Sequence, residues 1–184
     1  MKKSVIWLGG AILAALLFVG AFFLYRHLSE TYAPDTLAEN PTDETGAETY
    51  KAPDFTVSDQ EGNTVQLSDY FGKPIVLNFW ASWCSPCKAE MPHFEAAYKT
   101  HTDIQFLMVN ATSGDTVSSA KELIEKEGYT FPVLFDTEGV AAYTYGASSL
   151  PMTFFIDQDG NLVTYAIGML SAERLEKGIA LLQE

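Results

Sequence analysis

The chain has 184 residues, 47% of them hydrophobic, and a formal net charge of −13 at pH 7. That length suits one domain able to bury a core without disulfide staples. So acidic a chain, with no basic run, excludes binding to a nucleic-acid backbone, whose phosphates need a patch of Lys and Arg.

Residues 5–24 form an uncharged apolar run behind Lys2 and Lys3. At 1.5 Å per residue the run reaches about 30 Å, the thickness of a bilayer core. Residues 1–24 are therefore predicted to be a single-pass signal anchor, and lysines ahead of the run favour a cytoplasmic N terminus; Arg26 is a weak counter-signal. The alternative is a cleaved signal peptide that leaves a secreted domain. Val19, Gly20 and Ala21 offer small residues for a peptidase, but Phe22, Phe23 and Leu24 prolong the apolar run beyond them. Residues 25–50 are polar and acidic, which predicts a flexible linker holding the domain within about 30 Å of its anchor. Residues 51–184 are left as one folded domain.

Within that domain, Phe55 and Val57, then Val65 and Leu67, alternate with polar residues on either side of Gln60, Glu61, Gly62 and Asn63, the pattern of a hairpin with one buried face. Ile75–Trp80 is a short apolar run and reads as a strand covered on both faces. Cys87, Met91, Phe94 and Tyr98 follow at helical spacing, with Pro86 in the first turn and Pro92 predicting a kink in the interior. Residues 104–109 read as a second buried strand, parallel to the first because a helix-length crossover separates them. Asp115 or Thr116 then caps a helix bearing Val117, Ala120, Leu123 and Ile124 and closing at Gly128. A short strand at Val133–Phe135 and a helical turn at residues 140–145 come next. Met152–Ile156 and Leu162–Ile167 flank Asp157, Gln158, Asp159 and Gly160 as an antiparallel hairpin. Ser171 caps a last helix with Leu175, Ile179 and Leu182 on one face, weakened slightly by Gly178. No internal repeat is visible. The alternation of strands and helices predicts a three-layer α/β/α domain.

The chemistry lies at the chain's two cysteines. Cys84 falls where a strand ends and a helix begins, so unpaired amide hydrogens and the positive end of the helix dipole favour its thiolate, the form that attacks disulfides. Cys84 is thus the expected nucleophile, primed and accessible to solvent. Cys87, on the same side and deeper, can close a small ring with it and release a mixed-disulfide partner. A zinc knuckle would need a second pair, and His93 and His101 lack ligand spacing; a structural disulfide in so small a ring would constrain the unfolded chain weakly. No metal and no cofactor is expected. Glu90, one helical turn beyond Cys87, either stands in solvent or lies beneath the pair, where burial would raise its pKa and let it move protons for Cys87. Pro151 heads an apolar strand, a position that tolerates proline.

The stretch from Asn78 through Phe79, Trp80, Ala81, Ser82, Trp83, Cys84, Ser85, Pro86 and Cys87 to Lys88 resembles the active-site strand, loop and helix start of the thioredoxin superfamily. Asn78 in place of a buried aspartate, Glu90 after the second cysteine, and residues 149–160 make the chain most similar to the membrane-anchored TlpA/ResA branch. The resemblance implies a thioredoxin-like three-layer α/β/α sandwich with a central mixed sheet, an N-terminal β-hairpin and an inserted helix–strand unit. It implies Cys84, Cys87 and Glu90 as catalytic residues and Trp83, Pro86, Leu150 and Pro151 as substrate-binding ones. Pro151 would be cis, against the cysteine pair, with the Leu150 backbone free to pair with an extended substrate; Met152 stands where the family usually has threonine. The implied activity is extracytoplasmic thiol–disulfide exchange, most simply reduction of protein disulfides such as those of apocytochrome c. Electrons would come from a membrane donor of the CcdA or DsbD type. The alternatives are a disulfide-forming oxidase or isomerase on the same fold, and a copper-binding assembly protein of the Sco type. The Sco motif wants three residues between its cysteines and a late histidine; here there are two, and His27, His93 and His101 all precede Thr102.

Overall fold

The computed structural model describes residues 18–24, 38–39 and 50–183, and the chain divides into two compact units, Met1–Asp35 and Thr36–Glu184. In the first unit residues 18–24 are helical, with Phe18, Phe22 and Phe23 exposed. Among the described residues no helix is long and apolar enough to cross a membrane. Most of the expected anchor, and most of the expected linker, lies outside the described residues.

The second unit is built on one mixed sheet of eight strands: β1 (Ala38–Glu39), β2 (Thr56–Ser58), β3 (Thr64–Gln66), β4 (Ile75–Trp80), β5 (Gln105–Asn110), β6 (Val133–Phe135), β7 (Met152–Ile156) and β8 (Leu162–Ile167). Across the sheet they lie in the order β1, β8, β7, β4, β5, β6, β2, β3. β4 is the axis. It pairs parallel with β5, from Ile75↔Gln105 to Trp80↔Asn110, and antiparallel with β7, from Ile75↔Ile156 to Phe79↔Met152. Because a strand turns successive side chains to opposite faces, Val76 and Trp80, Phe106 and Met108, and Phe155 enter one core. Ile75, Leu77 and Phe79, Leu107 and Val109, and Met152, Phe154 and Ile156 enter the other. Helices α1 (Ser85–Thr100), α2 (Val117–Glu127) and α4 (Ala172–Ala180) supply the first core, and the short α3 (Val140–Thr144), with Phe55 and Val57, supplies the second. This is the expected thioredoxin-like three-layer arrangement.

Local chemistry explains most boundaries. Thr116, rather than Asp115, caps α2 by accepting from Ser119 N, and Ser171 caps α4 by accepting from Arg174 N. α1 continues through Pro92. The turns at residues 59–63 and 157–161 share the sequence Asp-Gln-acid-Gly-Asn. In each, the Asp carboxylate accepts from the backbone two and four residues on and from the Asn amide, while Gly62 or Gly160 takes a left-handed φ of 90° or 80°, which glycine adopts without steric cost.

Three features depart from the sequence expectations. Leu67 does not continue the hairpin strand; it opens a 3-10 turn, Leu67–Tyr70, and is fully buried. β1 falls inside the stretch expected to be linker and pairs antiparallel with β8, while Leu162 N donates to Tyr50 O at 2.8 Å. An outer strand leaves one row of backbone groups open, and the preceding chain supplies partners for it. Gly178 is an element of close packing, because a Cβ there would overlap the ring of Phe155.

Candidate active site

The register places the candidate residues at one end of the sheet. β4 ends at Trp80, beside Asn110 at the end of β5, and Pro151 immediately precedes the β7 residue paired with Phe79. Cys84 is the N-cap of α1. Its Sγ accepts from Cys87 N at 3.2 Å, Pro86 occupies the first turn, and Cys84 and Cys87 are joined by a disulfide. Cys84 is 4% exposed and Cys87 fully buried. The order of depth is as expected, but Cys84 is buried, not the open thiol expected there.

The Leu150–Pro151 peptide is cis, Pro151 is buried, Leu150 is half-buried, and Pro151 O accepts from Gly168 N at 2.9 Å. Trp83 is 62% exposed and Pro86 is exposed, whereas Trp80 lies wholly in the core. Ile167 and Met169, which no motif singled out, are exposed apolar residues flanking Gly168. Lys88 stands in solvent.

Glu90 is not a solvated helix residue; it is fully buried on the inner face of α1. Its Oε1 accepts from Asn78 Nδ2 at 2.8 Å and its Oε2 from Leu170 N at 2.8 Å. Asn78 Nδ2 donates in addition to Thr153 Oγ1 at 3.0 Å, across the β4–β7 register. Burial pushes the Glu90 carboxyl up, the bonds from Leu170 and Asn78 pull it back, and the balance leaves it at about 7. Asn78 Oδ1 and Trp80 Nε1 are buried without a hydrogen-bond partner among the described residues.

A second polar cluster, missed from the sequence, braces the loop before Cys84. The Asp115 carboxylate accepts from Ser82 N at 2.6 Å, Ser82 Oγ at 2.8 Å, Asn110 Nδ2 at 3.0 Å and Thr116 N at 2.8 Å. Trp83 Nε1 donates to Gly114 O at 2.8 Å. Partial burial alone would raise the Asp115 carboxyl, but the bonds from Asn110, Ser82 and Thr116 together hold it below its usual range. The sequence offered one hint, an aspartate beside a helix cap. His101 pairs with Glu176 at 3.0 Å, and among the described residues no three His, Cys, Asp or Glu side chains are grouped to hold a metal ion.

Comparison with known proteins supports this chemistry. A profile of the AhpC/TSA family matches residues 49–165. Thiol-disulfide oxidoreductase ResA of Bacillus anthracis is 36% identical over 126 residues, 68% of this chain and 73% of that protein. Thioredoxin-like protein YneN of Bacillus subtilis (strain 168) is 30% identical over 177 residues, 95% of this chain and 97% of that protein. The crystal structure of the exposed lipoprotein thioredoxin Etrx1 of Streptococcus pneumoniae strain TIGR4 matches with a TM-score of 0.60 at 32% identity, over 72% of this chain and 100% of that one. Family, relatives and geometry agree: the chain belongs to the AhpC/TSA family, as a thiol–disulfide oxidoreductase of thioredoxin-like fold.

Proposed function

We propose that the enzyme works outside the cytoplasm as a reductant of protein disulfides, with residues 1–24 holding it to the cell membrane and the N terminus inside. Its substrates are envelope proteins, apocytochrome c being one class handled by the TlpA/ResA branch, and a membrane thiol donor of the CcdA or DsbD type re-reduces it. The observation that carries the chemistry is the bonded Cys84–Cys87 pair at the N terminus of α1; Glu90, buried one helical turn beyond Cys87 with its carboxyl raised by burial, supports the reading as a proton acceptor for the deeper thiol. Lys2 and Lys3 ahead of the apolar run support the orientation. The direction rests on compartment, since thiols outside the cytoplasm drift to disulfide and a reductant there needs electrons passed through the membrane.

In the cycle, Cys84 loses its proton and its thiolate attacks one sulfur of the substrate disulfide. That bond breaks, a mixed disulfide forms, and the other substrate sulfur leaves as a thiolate and takes up a proton. Ionised Glu90 accepts the Cys87 proton, the Cys87 thiolate attacks Cys84 Sγ, and the second substrate sulfur leaves. Two electrons have passed to the substrate, and the enzyme holds the Cys84–Cys87 disulfide seen here. A donor dithiol returns them by the reverse exchange.

Cys87→Ala in the full-length chain removes the resolving step, so envelope proteins accumulate covalently on Cys84. The parent is expected to equilibrate nearer −270 mV than −120 mV, roughly the limits for this fold. A parent near −120 mV would be an oxidant and overturn the direction; an empty Cys84 would overturn the substrate class. Tight stoichiometric Cu(I) binding by the reduced chain would point to the Sco reading instead.

A further inference from the structure

The loop between β5 and α2 grips the two residues that precede Cys84. Asp115 holds Ser82 by its backbone and its hydroxyl, and Gly114 holds the Trp83 indole through its carbonyl. The grip is itself anchored. Asn110, fully buried at the end of β5, donates to the Asp115 carboxylate and accepts from Thr112 Oγ1 through its own Oδ1, while Ala111 N donates to Trp80 O. Trp83 keeps a fixed ring edge although most of its surface is in solvent. Without those bonds an exposed tryptophan on a short loop would sample several rotamers, and the residue after it caps the reactive helix.

We propose that Asp115 is a positioning residue of the redox site: it fixes the Ser82–Trp83 loop that presents Cys84, and its charge opposes the Cys84 thiolate. This rests on the reading of Cys84 as nucleophile. Only Trp83 lies between Ser82, which the carboxylate holds, and Cys84, so the carboxylate is on the order of 10 Å from the sulfur. Other charged groups on the packed elements are the solvated Lys88 and the buried Glu90 of α1, and the buried Asp136 after β6, whose backbone bonds to Ser113 and Asn110. Residues 147–151 and 163–172, on the opposite side, contain no carboxylate, amine or imidazole. Asp115 therefore offsets part of what the helix N terminus contributes. At that separation a unit charge shifts an ionisation constant by about twofold to tenfold, depending on how far solvent screens it. A thiolate less favoured in the reduced enzyme makes the couple more reducing wherever that thiolate is populated.

The test is Asp115→Asn in the full-length chain, which retains an acceptor for Ser82 and removes the charge. In the reduced protein, the pH profile of Cys84 alkylation by iodoacetamide is expected to move to lower pH by about twofold to tenfold in ionisation constant. The glutathione equilibrium at pH 9, where the thiolate dominates, is expected to move towards the reduced enzyme by a similar factor, tenfold being about 30 mV. A merely structural aspartate would lower the melting temperature and leave the profile in place, and an unmoved profile overturns the proposal whether or not the variant melts early. Should Asp115→Asn not fold, Asp115→Ser takes its place, keeping a hydroxyl acceptor for Ser82 N and removing the same charge; its profile must move in the same direction, and an unchanged one overturns the proposal. A wild-type chain that exchanged with no protein disulfide would sink the functional reading and leave these profiles interpretable.

Discussion

Glu90→Gln turns the burial of one carboxylate into a measurable pH dependence of stability. The folded chain keeps the Glu90 proton up to about pH 7, whereas an unfolded glutamate releases it near 4.5. Between those values the native state holds a proton that the unfolded state has lost, so stability falls as pH rises through the window. The gap, at 1.36 kcal/mol per pH unit, amounts to about 3 kcal/mol by pH 8. Glutamine has the same shape and no charge. Its carbonyl can accept from Leu170 N, and its amide can donate to Asn78 Oδ1, which has no partner among the described residues, once the Asn78 amide turns over. Denaturant unfolding of both disulfide-bonded chains at pH 4.5 and pH 8 should show the variant gaining about 3 kcal/mol on wild type across that span. Glu95 and Asp115, whose carboxyls are held low by hydrogen bonds, contribute stability that is lost only at more acid pH. They do so in both chains and cancel in the difference. A difference between the chains that stays constant within about 1 kcal/mol would show that Glu90 is not held neutral by burial, and the argument from desolvation would fail.

The same Glu90→Gln variant should slow release of the mixed disulfide by about a hundredfold or more at neutral pH, the usual worth of a general base; rapid-quench kinetics with unchanged release would end its assignment as proton acceptor. Gly178→Ala should lose up to about 2 kcal/mol in chemical unfolding, because overpacking the buried Phe155 ring, at about 1–3 kcal/mol, outweighs the roughly 1 kcal/mol that alanine gains in a helix. An alanine variant as stable as the parent would mean the ring yields. Deleting residues 1–24 should move the enzyme from the membrane fraction to the soluble one, and a deletion that stays with membranes would show that the apolar run is not the anchor.

What could be read from the sequence was whatever depends on near neighbours in the chain. The strands β4, β5, β7 and β8, the caps at Thr116 and Ser171, and the placement of Cys84 at a helix start all follow from periodicity and local hydrogen bonding within a few residues. The surroundings of the cysteines do not. Glu90 is bonded to Leu170, 80 residues away, and Asp115 to Ser82, 33 residues away. Leu170 offers only its backbone N–H, and Ser82 adds to its own N–H a hydroxyl that nothing in the local pattern distinguishes. β1 is hidden for the same reason, as its pairing with β8 is made through the backbone of residues that show no apolar alternation. Gly178 read as a weak point in a helix because close approach of a ring from another strand leaves no trace in the helix's own period. Asn78 is the exception. A single amide inside the apolar run Ile75–Trp80 had to find a buried partner, and strand alternation puts it on the α1 side, where Glu90 and Thr153 meet it.

The two carboxylates near the cysteine pair have been driven apart by their settings. Glu90 receives two hydrogen bonds, too few to offset complete burial, and it titrates near the pH at which the enzyme would work. Asp115 receives four in a partly solvated loop and stays ionised throughout that range. A group that is half-protonated can take up and return a proton within one catalytic cycle; a group that never changes charge can only hold geometry and potential. On the proposed roles, exchanging the settings would disable both. A solvated Glu90 would be a permanent charge with no tendency to hold the Cys87 proton, and a desolvated Asp115 without its donors would take up a proton and cease to oppose the Cys84 thiolate. The division of labour is therefore fixed by donor count and burial rather than by residue type: complete burial sets Glu90 apart against the two bonds it receives, and four donors in a partly solvated loop keep Asp115 charged.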